Sequence, residues 1–79
     1  RRALLSGFRL ENTDFSARDL RESDFTGAAL SGSLFRRSKL QFSNFYAADL
    51  RRSNFNGADL TRADLRGACF RAASLICGR

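Results

Sequence analysis

The chain has 79 residues and contains no histidine, no proline, no methionine and no tryptophan. Each absence excludes something. Without His there is no Ser-His-Asp or Cys-His nucleophile and no imidazole to hold a metal. Without Pro, every backbone N–H stays available to a hydrogen-bond ladder. Two cysteines do not make a disulfide framework and leave the redox compartment open. Cys69 and Cys77 are read as two unpaired thiols. A disulfide between them is the alternative, and it would suggest a lumenal or exported compartment. No run of about 20 apolar residues is present, so the chain is not expected to span a membrane. No secretory apolar segment stands out either. The start at Arg1-Arg2 and the missing Met suggest a processed product or a fragment. At this length residues 1–79 form one domain.

What is present is a period of five. Tyr46-Ala-Ala-Asp-Leu50 is followed by Arg51-Arg-Ser-Asn-Phe55, Asn56-Gly-Ala-Asp-Leu60, Thr61-Arg-Ala-Asp-Leu65 and Arg66-Gly-Ala-Cys-Phe70. A Leu or Phe stands at every fifth position from Leu5 to Leu75. An α-helix turns about 100° per residue and would scatter these side chains around its axis. A flat strand would throw successive members to opposite faces. The set becomes buriable only if the chain turns a corner once per block, so the period predicts a coil of short extended segments and turns.

With the central apolar residue called i, thirteen of the fifteen i−2 positions from Ala3 to Ala73 hold Ala, Ser or Thr. Strand alternation puts i−2 on the same side as i, so the interior is narrow. Position i−1 is Asp or Asn at Asp14, Asp19, Asp24, Asn44, Asp49, Asn54, Asp59 and Asp64. These face solvent and suit hydrogen bonds to nearby turn backbone. Gly7, Gly27, Gly32, Gly57 and Gly67 all stand at i+2, where a corner favours positive φ.

On these residues the chain resembles the pentapeptide repeat family, whose blocks follow Ala-Asp/Asn-Leu plus two variable residues. Ala48-Asp49-Leu50, Ala58-Asp59-Leu60 and Ala63-Asp64-Leu65 match letter for letter, and the resemblance covers about residues 3–77. It implies an all-β, right-handed quadrilateral parallel β-helix with about four coils of four pentapeptides. Twenty residues per coil would then stack Phe15, Phe35 and Phe55 on one face and Phe25 and Phe45 on the opposite one. Gly7, Gly27, Ala47 and Gly67 would share one edge and one turn type. Phe8 and Arg18 break the i−2 rule, so the first coil is expected to be a distorted or open cap, with Arg18 reaching solvent or Glu22.

The family acts by binding, so no enzyme, cofactor or metal is expected. No glycine-rich phosphate loop appears, and the eight carboxylates fall mainly on a structural position. Net charge is +6, and all of it arises after residue 25. Thirteen of the fourteen basic residues are Arg, which favours planar, bidentate contacts. Arg36, Arg37 and Lys39 form the densest run, and Arg51, Arg52 and Arg71 a second group. Leu34, Phe42 and Tyr46 are outward by register, with Phe42 and Tyr46 read as flanking one corner. Together these nine residues are the candidate partner-binding surface.

Three functions compete. The first is a protein–protein interaction or scaffold module, a small subunit or fragment of a larger assembly. The second is direct binding of nucleic acid or anionic membrane by the Arg-rich faces. The third, known for some family members, is mimicry of DNA toward type II topoisomerases, which the positive charge disfavours. The resemblance leaves the chloroplast, including its thylakoid lumen, and the bacterial cytoplasm as candidate compartments.

Overall fold

The computed structural model describes residues 2–76. Eleven parallel bridges are found among them, and each joins a residue to the one twenty positions later, from Leu4–Asp24 to Asn54–Ser74. Every bridged residue is an i−1 residue. A two-residue turn separates each bridge position from the next, so one lap takes twenty residues and passes four corners. The bridges stand singly because only three residues, i−2 to i, run straight before the next turn.

The ladder between laps has a fixed grammar. The i amide donates to the i−1 carbonyl of the next lap, as from Phe35 to Asn54 at 2.7 Å. The i−1 amide donates to the i−2 carbonyl of the previous lap, as from Leu34 to Thr13 at 2.9 Å. The i+2 amide donates to the i+1 carbonyl of the next lap, as from Arg37 to Asn56 at 2.9 Å. Within a lap, Ser38 N–H closes its turn onto Phe35 C=O at 3.2 Å.

Residue i+2 has positive φ at every corner from Arg2 to Ala72. That is the demand of a type II turn on its second central residue. One shared turn type at the edge of Gly7, Gly27, Ala47 and Gly67 was expected; instead the same left-handed residue recurs at all four edges. Ten of these fifteen residues are not glycine, among them Arg37, Phe42, Arg52 and Arg62. Glycine is needed where laps crowd. A Cβ on Gly32 would run into Oδ1 of Asn12, and one on Gly57 would lie 2.9 Å from Cγ of Arg37.

The interior is narrow and filled mainly by Phe and Leu side chains. Phe25, Phe35, Phe45 and Phe55 are fully buried, as are Leu30, Leu40 and Leu50. Phe15 and Phe35 stack at 4.9 Å, Phe35 and Phe55 at 4.8 Å, and Phe25 and Phe45 at 4.9 Å. The two Phe columns meet edge to face across the interior, Phe25 to Phe35 at 5.7 Å and Phe35 to Phe45 at 5.8 Å. Burying such a side chain contributes roughly 1.5–3 kcal/mol, and an aromatic pair about 0.5–1.5 kcal/mol beyond area. Exposed ion pairs contribute about 0–1 kcal/mol, so the Phe columns dominate. Ser23, Ser33, Ser38, Ser43 and Ser53 are the buried polar side chains. Three of them bond the turn carbonyl three residues back: Ser38 to Phe35, Ser43 to Leu40 and Ser53 to Leu50.

Of the two forms expected for the first lap, distorted or open, the described residues show no distortion and an uncovered end. Its bridges Arg9–Ala29, Asp14–Leu34 and Asp19–Lys39 keep the common offset. The reason is positional. No lap lies beneath it among the described residues, so Phe8, 53% exposed, and exposed Arg18 are left uncovered at the open end without bending the backbone. Arg18 takes the solvent route and makes no ion pair with Glu22.

Candidate interaction surface

The outward surface starts from position i−1. All eight Asp and Asn residues there accept a hydrogen bond from the i+1 amide, from Asp14–Ser16 at 2.9 Å to Asp64–Arg66 at 3.1 Å. Each side chain thus caps the turn that follows it. Where residue i+1 is Arg, the guanidinium closes on the same carboxylate through two nitrogens. Arg21 holds Asp19 at 2.8 and 2.6 Å, Arg51 holds Asp49 at 2.8 and 2.7 Å, and Arg66 holds Asp64 at 3.0 and 2.8 Å.

These contacts set the electrostatics. The Arg21, Arg51 and Arg66 guanidiniums hold the carboxyls of Asp19, Asp49 and Asp64 below the usual carboxylate range, and the three arginines are raised in turn. Asp14 is lowered chiefly by the Ser16 amide. Asp24 is lowered by the hydroxyl and the amide of Thr26. Carboxylates committed to turns and guanidiniums in this way are structural. Among the described residues no group of three or more Cys, Asp or Glu side chains could hold a metal.

Four of the nine candidate residues stand apart. Arg36 and Arg71 occupy i+1, yet Leu34 and Cys69 replace the acid at i−1. Arg37 and Arg52 occupy the left-handed i+2 position, beyond the reach of the clamp. Among the described residues none of these four forms an ion pair. They line two open clefts. One, of about 340 Å³, is bounded by Arg36, Arg37, Asn56, Gly57 and Ile76. The other, of about 290 Å³, is bounded by Arg51, Arg52, Arg71 and Ala72.

The remaining candidates are placed differently from the sequence reading. Arg51 is committed to Asp49. Lys39 is exposed, and its backbone bridges Asp19 below and Asp59 above, on a different side of the solenoid from segment 33–35. Leu34 is half-buried between Asp14 and Asn54, not an exposed contact. Phe42 and Tyr46 are exposed, 59% and 48%, but they do not flank one corner. They belong to separate turns at the two ends of the straight segment 43–45. Phe42 lines a cleft of about 330 Å³ with Arg21, Glu22 and Gln41. The Tyr46 ring is covered by Arg66, whose Cζ lies 5.7 Å from the ring centre.

Sequence reasoning missed the clamp. Its signal was the triplet Asp-Leu-Arg, present at 19–21, 49–51 and 64–66. It also missed Leu4, an outward i−1 residue that is 73% exposed. Cys69 is an exposed free thiol. Cys77, the other half of the disulfide alternative, lies outside the described residues. No helix among the described residues is long and apolar enough to cross a membrane.

A lap of twenty residues, a turn every five and an inward Leu or Phe at each block define a β-helical repeat protein. The pentapeptide repeat model matches residues 1–37 and 38–75, and the chain belongs to the pentapeptide repeat family. Among solved structures it is similar to a pentapeptide repeat protein of the Arabidopsis thaliana thylakoid lumen, at 31% identity and a TM-score of 0.93 over 94% of this chain and 51% of that one. It is similar to a pentapeptide repeat protein from Nostoc PCC 7120, at 32% identity and a TM-score of 0.78 over 95% of this chain and 62% of that one. It is also similar to HetL, a pentapeptide repeat protein involved in heterocyst differentiation regulation in the same cyanobacterium. That match has 28% identity and a TM-score of 0.57 over 98% of this chain and 46% of HetL. The chain thus spans about half to three-fifths of the length of these proteins, and the likeness gives it the right-handed β-helix fold. No curated protein matches it.

Proposed function

We propose that the chain is a non-enzymatic protein–protein interaction or scaffold module, a quadrilateral β-helix of about four coils serving as part of a larger assembly. One observation carries this reading. The repeat commits its inward residues to the core and its i−1 acids to turn caps, while several arginines, Arg36, Arg37, Arg52 and Arg71 among them, form no ion pair within the described residues. An array of such cations on a fixed scaffold recognises charge and shape. The i−1 aspartates, which could otherwise move protons, are held in turn caps. The regulatory involvement of HetL fits a family role exercised by binding. The thylakoid lumen and cyanobacterial sources of the neighbours are consistent with a chloroplast or bacterial compartment.

The test is co-purification from the native source followed by chemical cross-linking and mass spectrometry. A stoichiometric protein partner cross-linked near Arg36, Arg37, Arg52 or Arg71 is the expected result. Recovery only as free monomer would count against the module. The basic surface also favours a second reading, direct binding of nucleic acid or anionic membrane. That reading predicts affinity falling steeply with salt.

A further inference from the structure

Arg36, Arg37, Arg52 and Arg71 are not scattered. The straight segments 13–15, 33–35, 53–55 and 73–75 follow one another along a single side of the solenoid, joined by the Asp14–Leu34 and Leu34–Asn54 bridges and the Asn54–Ser74 bridge. The turn before this side carries Arg52 and Arg71, and the turn after it carries Arg36 and Arg37. The two clefts that these arginines line therefore border the same side at its two edges. Between the edges the outward column is Asp14, Leu34, Asn54 and Ser74, neutral apart from Asp14 at one end. Asp14 is capped by the Ser16 amide, and the Arg36 and Arg18 charges also help to hold its carboxyl below the ordinary value.

The freedom of Arg36 and Arg71 has a local cause. At 19–21, 49–51 and 64–66 the acid two residues earlier neutralises the Arg. At Leu34 and Cys69 that acid is gone, and the Arg two residues later is released. Two departures from the repeat thus expose one guanidinium at each edge of one side, and Arg37 and Arg52 add a second at each.

We propose that this side docks an acidic polypeptide segment of a partner protein, its carboxylates gripped at one edge by Arg36 and Arg37 and at the other by Arg52 and Arg71. The inference rests on the interaction-module reading and names the partner's chemistry. The straight part between the edges is three residues, about 10 Å, long, and the two grips lie on successive laps at its two ends. Arg presents a planar fork that matches a carboxylate with two hydrogen bonds. Single-stranded nucleic acid needs aromatic platforms for its bases, and none lines this side. Phe42 and Tyr46 stand at the ends of segment 43–45, on the opposite side, where Phe45 meets Phe35 across the interior.

The test is fluorescence anisotropy of a fluorescein-labelled Glu-rich peptide titrated with the whole chain. Saturable binding that weakens with salt is expected. Arg37→Gly and Arg52→Gly should each lower affinity by about tenfold without lowering Tm, because both residues sit at left-handed φ, 55° and 56°, that glycine adopts freely. Arg62→Gly removes the same charge from the same backbone conformation, φ 60°, on a different corner, and should leave affinity within about twofold. Cys69→Asp restores the acid two residues before Arg71 and should weaken binding with Arg71 still in place.

Absence of peptide binding at low salt would overturn the proposal. So would an Arg62→Gly loss equal to that of Arg52→Gly, which would mean that net charge alone is read. Tighter binding of a DNA duplex, a single-stranded oligonucleotide or phosphatidylserine vesicles than of the peptide would overturn it too. A native partner held equally by wild type and by Arg37→Gly/Arg52→Gly would sink the docking side and leave the interaction module standing. No native partner at all would remove both.

Discussion

At the scale of single residues, the molecule is governed by two local rules. The first is the left-handed residue at every corner. An L-residue there costs roughly 1–2 kcal/mol against its ordinary conformation, and glycine gives back part of that gain through its larger unfolded-state entropy, about 0.5–1 kcal/mol. Arg52→Gly should therefore raise stability by up to about 1 kcal/mol. Gly57→Ala should lower it by about 1 kcal/mol, since the new Cβ would also press on Cγ of Arg37. Urea unfolding of the two variants reads both signs. The second rule is the capped carboxylate. Asp14, Asp19, Asp24, Asp49 and Asp64 all have folded pKa values below their ordinary one. The folded state then binds fewer protons than the unfolded state, so stability rises with pH through this range. Thermal melts should show a plateau above about pH 5 and a falling Tm from about pH 4 downward. A Tm that rises on acidification would contradict the capping role.

At the scale of the block and its stacked neighbours, the inward pair decides stability. Phe35 lies between Phe15 and Phe55 and against the edges of Phe25 and Phe45. Phe35→Ala should cost about 3–5 kcal/mol, a large part of what a chain of this size has to lose. Ser53→Ala should cost about 1 kcal/mol or less. It removes one hydrogen bond to Leu50 C=O, but Ala48 and Ala58 occupy the same position with near-complete burial. Ser53→Val should cost more than Ser53→Ala, because the narrow interior has no room for the added methyl groups. The denaturant midpoint should drop least for Ser53→Ala, more for Ser53→Val and most for Phe35→Ala. The i−1 and i+1 pair belongs to this scale as well. An Asp at i−1 silences an Arg at i+1, and its replacement by Leu34 or Cys69 releases one.

For the molecule as a whole, each lap is held mainly by the laps on either side, so stability should be graded along the axis. The amides of Asn44 and Asp49 bond to Ser23 and Ala28 inside the stack at 2.9 Å each, with laps above and below. Leu4 and Phe8 at one end, and Leu75 and Ile76 at the other, are exposed. Native-state hydrogen exchange should find the amides of Asn44 and Asp49 protected near the global unfolding free energy, and those near the two ends opening more easily. Uniform protection from end to end would argue against nearest-neighbour coupling. The charge is also a property of the whole. Clamped arginines cancel their acids locally, so the net +6 is expressed mainly by the unclamped ones.

The path of the chain was legible in the sequence because the repeat has no insertions. With a fixed block of five and a lap of twenty, position alone says that Phe35 lies between Phe15 and Phe55 and that Ser38 points inward. The eight turn caps were legible for the same reason, since Asp and Asn recur at one register. The candidate surface was only partly legible. Register says which residues point out, but not which charges remain free, because that depends on the turn bringing i−1 and i+1 together. The folded chain spends Arg51 on Asp49, half-buries Leu34 and parts Phe42 from Tyr46. It leaves Arg36, Arg37, Arg52 and Arg71 together on two edges of one side. The core follows from a one-dimensional count because every lap repeats the same burial. The surface required the tertiary structure, because a charge is neutralised by what lies within about 4 Å of it, and those neighbours come from the turn and from the adjoining laps.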